Sequence, residues 1–351
     1  MNKEAEMKRK EDGLKEAVLW DAGEDKKVQC KLCSRRCVIG EGKLGRCAVR
    51  KNIDGVLYSL NYDKVCSANS DPIEKKPLFH FQPGTSSFSI ATMGCNFQCE
   101  FCQNWQISQA AIEDGRIDGQ ALSPQQIVEA AVRTNCKSIA YTYTEPTVFM
   151  ELCADCGRLG KAKGLANVFV SNGYQTKEAI DFAAEWLDGI NVDLKSFSDD
   201  YYKRLCKARL QPVLDTISYI AKETNIWLEI TTLVVPGEND SDEELKKIVD
   251  FIVNQAGPDV PWHISRFIPQ YKYLDSMPTP IRTLERAEQI GKEAGLHYVY
   301  LGNVPGAKSE STFCYNCGRM LIERIGYRII ANNVGNSCCP DCGVKIAGFE
   351  L

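Results

Sequence analysis

Apolar runs alternate with amphipathic stretches through the central part of the chain, and each apolar run predicts a strand. Helical spacing of apolar residues fills the gaps between them, at 147–163, 176–186 and 241–255, and Ser123 followed by Pro124 predicts a further helix start. Repeated strand–helix units are typical of an α/β fold with a parallel sheet and right-handed crossovers. The predicted strands lie at 88–92, 138–143, 167–171, 189–194, 227–234, 263–267 and 297–301.

The pattern changes on both sides of this region and divides the chain into four segments. Residues 1–29 are rich in Lys and Glu, with a few apolar residues at helical spacing, which predicts a charged surface helix leading into the fold. A partly disordered segment is the alternative. A cysteine-rich segment follows at 30–86. The strand–helix region covers 87–311, and a second cysteine-rich tail covers 312–351.

The charge balance and the cysteine content exclude several classes of protein. A net charge of −4 gives no broad basic surface for nucleic acid. No apolar run approaches the roughly 18 residues that a membrane helix needs, and the charged N-terminus lacks the apolar core of a signal peptide. We therefore expect a cytoplasmic protein. Seventeen cysteines in such a chain favour metal sites over disulfides.

Four cysteines near the N-terminus have the spacing of a metal site. Cys30, Cys33, Cys37 and Cys47 form a Cys-x2-Cys-x3-Cys-x9-Cys pattern, and glycines in the last interval allow a tight knuckle. Four soft ligands within so few residues suit a tetrahedral zinc ion or iron. Zinc is the first interpretation, an auxiliary iron–sulfur cluster is the second, and a loop of free thiols is the third.

The C-terminal tail carries a second pattern of four cysteines. Cys314 and Cys317 form one knuckle and Cys339 and Cys342 form another, with a predicted hairpin between them. Paired knuckles of this kind are typical of a zinc ribbon. About forty residues bury little core, so the metal is expected to supply the folding energy. The module is equally suited to grip a protein partner, a nucleic acid or the strand–helix region itself.

Three more cysteines follow the first predicted strand of the central region. Cys95, Cys99 and Cys102 have Cys-x3-Cys-x2-Cys spacing, with an aromatic residue directly before the third. Three thiolates are one ligand short of the four that hold a cubane iron–sulfur cluster, which leaves one iron open to a small molecule. An open iron indicates chemistry rather than structure. The alternatives are a zinc site that lacks a ligand and three buried free thiols.

At these three cysteines the chain resembles the radical S-adenosylmethionine (SAM) enzymes. The sequence Cys-Asn-Phe-Gln-Cys-Glu-Phe-Cys-Gln-Asn-Trp-Gln-Ile-Ser, from Cys95 to Ser108, resembles the AmmeMemoRadiSam system branch, which is close to the pyruvate formate-lyase activating enzymes. The resemblance implies a partial (β/α)6 barrel of TIM type, flanked by the N-terminal knuckle and the C-terminal zinc ribbon. It also implies a 4Fe–4S cluster on Cys95, Cys99 and Cys102, with SAM at the open iron.

The resemblance further implies which residues contact SAM, because sites in such barrels lie at the carboxyl ends of the strands. Glu145 is expected to take the SAM amino group. Lys195 has an ion pair with Asp193 as its alternative role. Arg266 is expected to need an anionic partner, either the SAM carboxylate or a structural carboxylate. The expected cofactor-binding residues are Phe101, Asn104, Glu145, Ser171, Asn172, Asp193, Lys195 and Arg266.

Together these features predict a radical SAM enzyme. The resemblance implies reductive cleavage of SAM to a 5'-deoxyadenosyl radical, which then abstracts hydrogen from a small molecule or a peptide. A ferredoxin or flavodoxin is the expected reductant, and proteins of the AmmeMemoRadiSam system are the expected partners. Activation of a glycyl-radical enzyme is the first alternative. A protein of another class, a zinc-ribbon scaffold for nucleic acid or protein with a vestigial barrel, is the second.

Overall fold

The computed structural model describes residues 14–304 and 308–351, which form two compact units. The predicted segments 30–86 and 87–311 are each divided between these units. The division arises because contacts between neighbouring strands, rather than position along the chain, decide which residues pack together. The first unit contains the chain up to Ser70, Phe88–Gln98 and Asn104–Leu187, and the second contains Asp71–Ser87, Cys99–Gln103 and the chain from Asp188 onward.

The first unit combines small antiparallel sheets with parallel strands. Its strands are β1 (Lys15–Glu16), β2 (Trp20–Ala22), β3 (Val28–Cys30), β4 (Val38–Ile39), β5 (Arg50–Ile53), β6 (Val56–Ser59), β7 (Lys64–Pro72), β8 (Ser86–Thr92), β9 (Gln120–Ala121), β10 (Ser138–Tyr141) and β11 (Ala166–Ser171). β6 pairs antiparallel with β1 and β5, and β3 pairs antiparallel with β2 and β4. β10 and β11 pair in parallel, in the strand order β11–β10–β8–β7–β9.

The second unit contains the remaining strands, of which the first four run parallel to one another. They are β12 (Gly189–Asp193), β13 (Trp227–Val234), β14 (Trp262–Arg266), β15 (Val299–Gly302), β16 (Thr312–Phe313), β17 (Met320–Ile325) and β18 (Arg328–Asn332). Each of β12, β13 and β14 pairs in parallel with the next strand along the chain. β17 pairs antiparallel with β16 and β18. The prediction of an α/β fold with parallel strands is confirmed.

Helices connect the strands largely where amphipathic spacing predicts them. The α-helices are α1 (Trp105–Ser108), α2 (Ala110–Glu113), α3 (Pro124–Arg133), α4 (Met150–Lys161), α5 (Lys177–Ala184), α6 (Asp199–Tyr201), α7 (Gln211–Glu223), α8 (Asp242–Phe251) and α9 (Ile281–Glu293). α3 begins as predicted, because the Ser123 hydroxyl accepts from the Gln126 N–H and the Gln126 side chain accepts from the Ser123 N–H. None of the described helices combines the length and apolar character needed to cross a membrane.

The predicted charged helix over 1–29 is wrong for the part of it that the structure describes, and residues 1–13 lie outside that part. From residue 14 the chain forms β1 and β2 and enters β3, with a single 3-10 turn at Glu24–Lys26. Lys15 pairs with Ser59 of β6, and Leu19 has a left-handed φ of 54°. Pairing with strands distant in sequence overrides the local helical spacing.

The C-terminal tail packs onto the strand region of its own unit. β17 and β18 form the predicted hairpin, and the tail then turns back toward β15. The sequence allowed this module to bind a protein partner, a nucleic acid or the strand–helix region. In the structure it contacts the strand–helix region. One buried apolar cluster contains Phe79, Tyr298, Tyr300, Cys314, Leu321, Ile322, Cys339 and Ile346.

A buried polar network lies beside this cluster and is centred on a carboxylate. Glu229 of β13 accepts the N–H groups of Phe79 and His80 at 3.0 and 2.8 Å and the Trp227 indole N–H at 3.0 Å. Its other contact is the His263 ring Nε2 at 2.6 Å. Although burial opposes the charge, hydrogen bonding from His263 holds the pKa of Glu229 below its usual value. The network fixes the Phe79–His80 segment against β13 and β14.

His80 links this network to the C-terminal tail in its neutral form. Its Nδ1 lies 2.7 Å from the Ala347 carbonyl oxygen and therefore carries the proton. Its Nε2 accepts from the Tyr300 hydroxyl at 2.6 Å. Burial lowers the pKa of His80 to about 4. His80 thus joins β15 to the tail.

The depressed pKa of His80 makes the protein less stable in acid. As the pH falls from about 6.5 toward 4, the unfolded chain takes up a proton that the folded chain excludes. The free energy of unfolding is expected to fall by up to about 3 kcal/mol over this window. Urea unfolding of wild type and His80→Gln at several pH values measures it. The variant should lose less stability between the two ends of the window, and an equal loss contradicts the assignment.

Candidate functional site

Cys95 lies in the first unit, just beyond β8, with N–H donors around its sulfur. The Phe97 N–H donates to Sγ at 3.3 Å, and the Asn172 amide nitrogen lies 3.8 Å from it. Gly94 before it has a φ of 114°, and a Cβ there would lie 2.7 Å from a Val49 methyl group. Only glycine therefore allows this approach. N–H donors to sulfur stabilise a thiolate ligand, which fits the expected iron–sulfur role.

Glu145 orders the turn that presents Asn172. Its carboxylate is buried and accepts the Thr147 N–H at 3.1 Å, the Thr147 hydroxyl at 2.5 Å and the Ser171 hydroxyl at 2.9 Å. Its second oxygen accepts the Asn172 N–H at 2.8 Å. Burial raises the pKa of Glu145, and these donors oppose that shift. The structure thus unites Glu145, Ser171 and Asn172, while the contact with a SAM amino group stays a prediction.

Asn104 joins two further segments of the first unit. Its amide donates to the Tyr143 carbonyl at 2.9 Å, and Tyr143 has a left-handed φ of 65°. The Thr144 hydroxyl donates to the Thr92 carbonyl at 2.8 Å, which ties the turn after β10 to the end of β8. These bonds hold the residues before Glu145 in a fixed turn.

Cys99 and Cys102 lie in the second unit, where a further cysteine adjoins them. The Cys102 N–H donates to the Cys99 carbonyl at 3.2 Å. The buried Cys206 thiol forms a hydrogen bond with Cys99, and burial, followed by that bond, raises the pKa of Cys206. Sequence reasoning missed Cys206, since a lone cysteine outside any spacing pattern gives no signal.

Lys195 and Asp193 form the ion pair that was one of the two predicted roles for Lys195. Lys195 Nζ lies 2.8 Å from the Asp193 carboxylate, and the lysine side chain is largely buried. Although burial opposes the charge, Asp193 and then the Cys99 and Cys206 sulfurs hold the pKa of Lys195 well above its usual value. A fixed positive charge therefore lies near Cys99. Phe101 is buried, and its ring packs 6.0 Å from that of Tyr201.

Arg266 does not have the structural carboxylate that the sequence allowed for it. It lies at the carboxyl end of β14 and is partly exposed, so the burial that demanded an anion is absent. Its Nε donates to the Thr279 carbonyl at 2.8 Å. No carboxylate of the described residues pairs with Arg266, so of its two predicted partners the SAM carboxylate is the one left. Its contact with the SAM carboxylate stays a prediction.

The four C-terminal cysteines bring their sulfur atoms together. The Sγ atoms of Cys314, Cys317, Cys339 and Cys342 lie within 4.8 Å of one another, with individual pairs at 3.6 and 3.7 Å. Four sulfurs around zinc at about 2.3 Å would be separated by about 3.8 Å. Each knuckle closes on a glycine with left-handed φ, at Gly318 and Gly343. The geometry fits one tetrahedral metal ion.

The four N-terminal cysteines line a single cavity of the first unit. Cys30 and Cys47 are buried, and Cys33 and Cys37 are partly exposed. Arg50 lines the same cavity. All seventeen cysteines of the chain lie within the described residues, and each is a free thiol. The predicted metal-binding sets are thus available as reduced ligands.

Comparison with known proteins identifies the family. Residues 89–252 match the Radical SAM superfamily. The chain is 47% identical over 335 residues to the Uncharacterized protein MJ0808 of Methanocaldococcus jannaschii, covering 95% of this chain and 99% of that one. It is 27% identical over 223 residues to a protein of the same organism provisionally named a glycyl-radical enzyme activating enzyme, covering 63% of this chain and 80% of that one.

A solved structure shows the same fold. The radical SAM methyltransferase of Sphaerobacter thermophilus superposes with a TM-score of 0.50 at 16% identity, over 64% of this chain and 68% of that one. The match of residues 89–252 to the Radical SAM superfamily includes the cysteine loop after β8, and the 47% identity to the jannaschii relative extends over nearly the whole chain. Together they lead to one conclusion: the chain belongs to the radical SAM superfamily.

Proposed function

We propose that the chain binds a 4Fe–4S cluster through Cys95, Cys99 and Cys102 and cleaves SAM reductively. The observation that carries the proposal is the three-cysteine loop directly after β8, inside the region 89–252 that matches the superfamily. When bound, such a cluster offers an open iron to SAM and supplies the electron that cleaves it to methionine and a 5'-deoxyadenosyl radical.

The chain's own residues prepare this site in three ways. Asn172 and the Phe97 N–H donate toward the Cys95 sulfur, which withdraws electron density from the ligand and fixes its position. Glu145 holds the Asn172 turn in place. Lys195 brings a positive charge toward Cys99, which favours the thiolate over the thiol.

The proposed SAM contacts follow the carboxyl ends of separate strands. In a partial (β/α)6 barrel, the ligand-binding residues lie at these strand ends. Phe101 and Asn104 are proposed to flank SAM from within and just after the cysteine loop. The strand-end residues are Glu145 after β10, Ser171 and Asn172 after β11, Asp193 and Lys195 after β12, and Arg266 at the end of β14.

The proposed substrate is a small molecule or a peptide that gives up a hydrogen atom. The sequence from Cys95 to Ser108 supports membership of the AmmeMemoRadiSam branch, with partner proteins of that system and a ferredoxin or flavodoxin as reductant in the cytoplasm. Zinc is the proposed metal of the C-terminal cysteines. Activation of a glycyl-radical enzyme is a second candidate, favoured by the 27% identity to the relative provisionally given that function.

Detection of 5'-deoxyadenosine tests the proposal. The protein is reconstituted anaerobically with iron and sulfide, reduced and given SAM, and the product is quantified against a sample without reductant. Reductant-dependent 5'-deoxyadenosine supports radical SAM chemistry. A loaded cluster that yields none contradicts it. A glycine-centred electron paramagnetic resonance signal on a partner protein would favour the second candidate.

A further inference from the structure

Four thiols line the cavity of the N-terminal knuckle. They belong to Cys30, Cys33, Cys37 and Cys47. Their sulfur atoms are not gathered as closely as those of the C-terminal cysteines, which lie within 4.8 Å of one another. Binding of one ion would therefore draw the thiols of this cavity together. Zinc suits four sulfur ligands.

A buried arginine with unsatisfied N–H groups lines the same cavity. Arg50 is 2% exposed, and its Nη2 donates to both carboxylate oxygens of Glu151 at 2.8 and 2.7 Å. Within the described residues, its Nε and Nη1 have no hydrogen-bond partner although both are buried. A buried guanidinium N–H without an acceptor is costly. Metal-bound sulfurs of Cys30 and Cys47, which line the same cavity as Arg50, would supply acceptors.

The knuckle is also hydrogen-bonded to the turn that carries Cys95. Arg35 lies between Cys33 and Cys37, and its Nε and Nη2 both donate to the Asn96 carbonyl, at 3.1 and 2.9 Å. Asn96 directly follows Cys95. The Arg35 guanidinium also lies 5.9 Å from the centre of the Phe97 ring, whose residue donates its N–H to the Cys95 sulfur.

A second set of bonds joins the knuckle to the turn after β11. The Ser34 N–H donates to the Tyr174 carbonyl at 2.9 Å, and the Thr176 hydroxyl donates to the Lys31 carbonyl at 2.6 Å. The backbone of Cys33 pairs with that of Gln175 in an isolated antiparallel β-bridge. This turn contains Asn172, the other donor near the Cys95 sulfur. The knuckle thus contacts the turns that carry these two donors, the Phe97 N–H and the Asn172 amide.

We propose that Cys30, Cys33, Cys37 and Cys47 bind one metal ion, and that the loaded knuckle acts through Arg35 to hold the Cys95 turn in the shape its cluster needs. Arg35 is thereby a positioning residue, since it donates to the backbone carbonyl of Asn96, directly beside the proposed cluster ligand Cys95. The proposal rests on Cys95 being a cluster ligand and deepens the function proposed above.

Metal analysis of three variants tests it. Zinc and iron per chain are measured after anaerobic reconstitution, together with the rate at which a chelator strips the cluster iron. Arg35→Ala removes the hydrogen bonds to the Asn96 carbonyl and keeps all thiols. Cys33→Ser removes one proposed N-terminal ligand. Arg36→Ala is the matched control, because Arg36 is the next residue and pairs with Glu178 at the surface.

Wild type is expected to hold one zinc ion for each set of four cysteines, and Cys33→Ser is expected to lose one of them. Arg35→Ala should keep both while losing its cluster about tenfold faster, since a charge-assisted bond to a carbonyl is removed. Arg36→Ala should match wild type. Unchanged zinc in Cys33→Ser, or wild-type cluster loss in Arg35→Ala, overturns the proposal. A wild-type cluster that never cleaves SAM would refute the proposed function and leave this inference standing.

Discussion

Alanine at Cys95, Cys99 or Cys102 is expected to abolish the formation of 5'-deoxyadenosine. Each thiolate is one of only three protein ligands in the proposed site, so its loss leaves two and the cluster is no longer retained. Loss of an outer-shell partner already lowers metal affinity or activity by about 10–100-fold, so loss of a ligand should exceed about 100-fold. Chromatographic quantification of 5'-deoxyadenosine, with iron content measured on the same samples, provides the result.

Cys136→Ala is the matched control for these variants. Cys136 is a buried cysteine of the first unit outside the three metal-spaced groups, and its thiol lies 3.3 Å from the Ser70 hydroxyl. It should retain both iron and SAM cleavage. Cleavage that survives in any of the three ligand variants would refute the assignment of that cysteine. Loss in the control as well would mean that the assay reports folding rather than ligation.

Loss of the C-terminal metal is expected to destabilise the second unit. Cys339 is both a member of the sulfur group and part of the apolar cluster with Tyr298 and Tyr300. A module of this size depends on its metal for folding. If the module unfolded, the apolar cluster around Tyr298 and Tyr300 would be exposed to water. Cys339→Ser is therefore expected to lose one zinc ion and several kcal/mol of stability, equivalent to a fall in Tm on the order of 10 °C.

The neighbouring cysteine offers a control for this second prediction. Cys338 lies next to Cys339 but outside the sulfur group. Cys338→Ser should therefore bind zinc and melt as wild type does. Differential scanning calorimetry and zinc analysis of the two serine variants make the comparison. Equal melting and equal zinc in both would show that the tail is held by its apolar contacts alone.

The parallel strands could be predicted from sequence because their signal is local. β13 spans Trp227–Val234, the limits that its apolar run predicts, and β12 and β14 differ from their predictions by one residue at one or both ends. The small strands before residue 60 could not be predicted in the same way. β1 is two residues long, and its partner β6 lies more than forty positions away. For such strands the distant partner, not local spacing, decides the conformation.

The candidate site also combines residues with a local sequence signal and residues that are brought together only by folding. Cysteine spacing is local, so three candidate metal-binding sets could be proposed from sequence, and the structure brings the sulfur atoms of the C-terminal set together. Cys206 beside Cys99 and Arg50 beside the N-terminal thiols could not, because folding alone brings them there. The partial exposure of Arg266 could not be predicted from its apolar strand either, because it depends on where the strand ends in the fold.

The pair formed by Arg50 and Glu151 has a consequence for how this protein can evolve. The two residues are 101 positions apart and both are almost completely buried. Replacing either one alone would strand an uncompensated charge, which costs about 3–5 kcal/mol. Relatives should therefore inherit the two positions as a unit, either both charged or both apolar. A recombinant gene with a crossover between the two positions would give a stable protein only when both parent genes encode the same pair. The N-terminal knuckle and helix α4 are therefore expected to be inherited together.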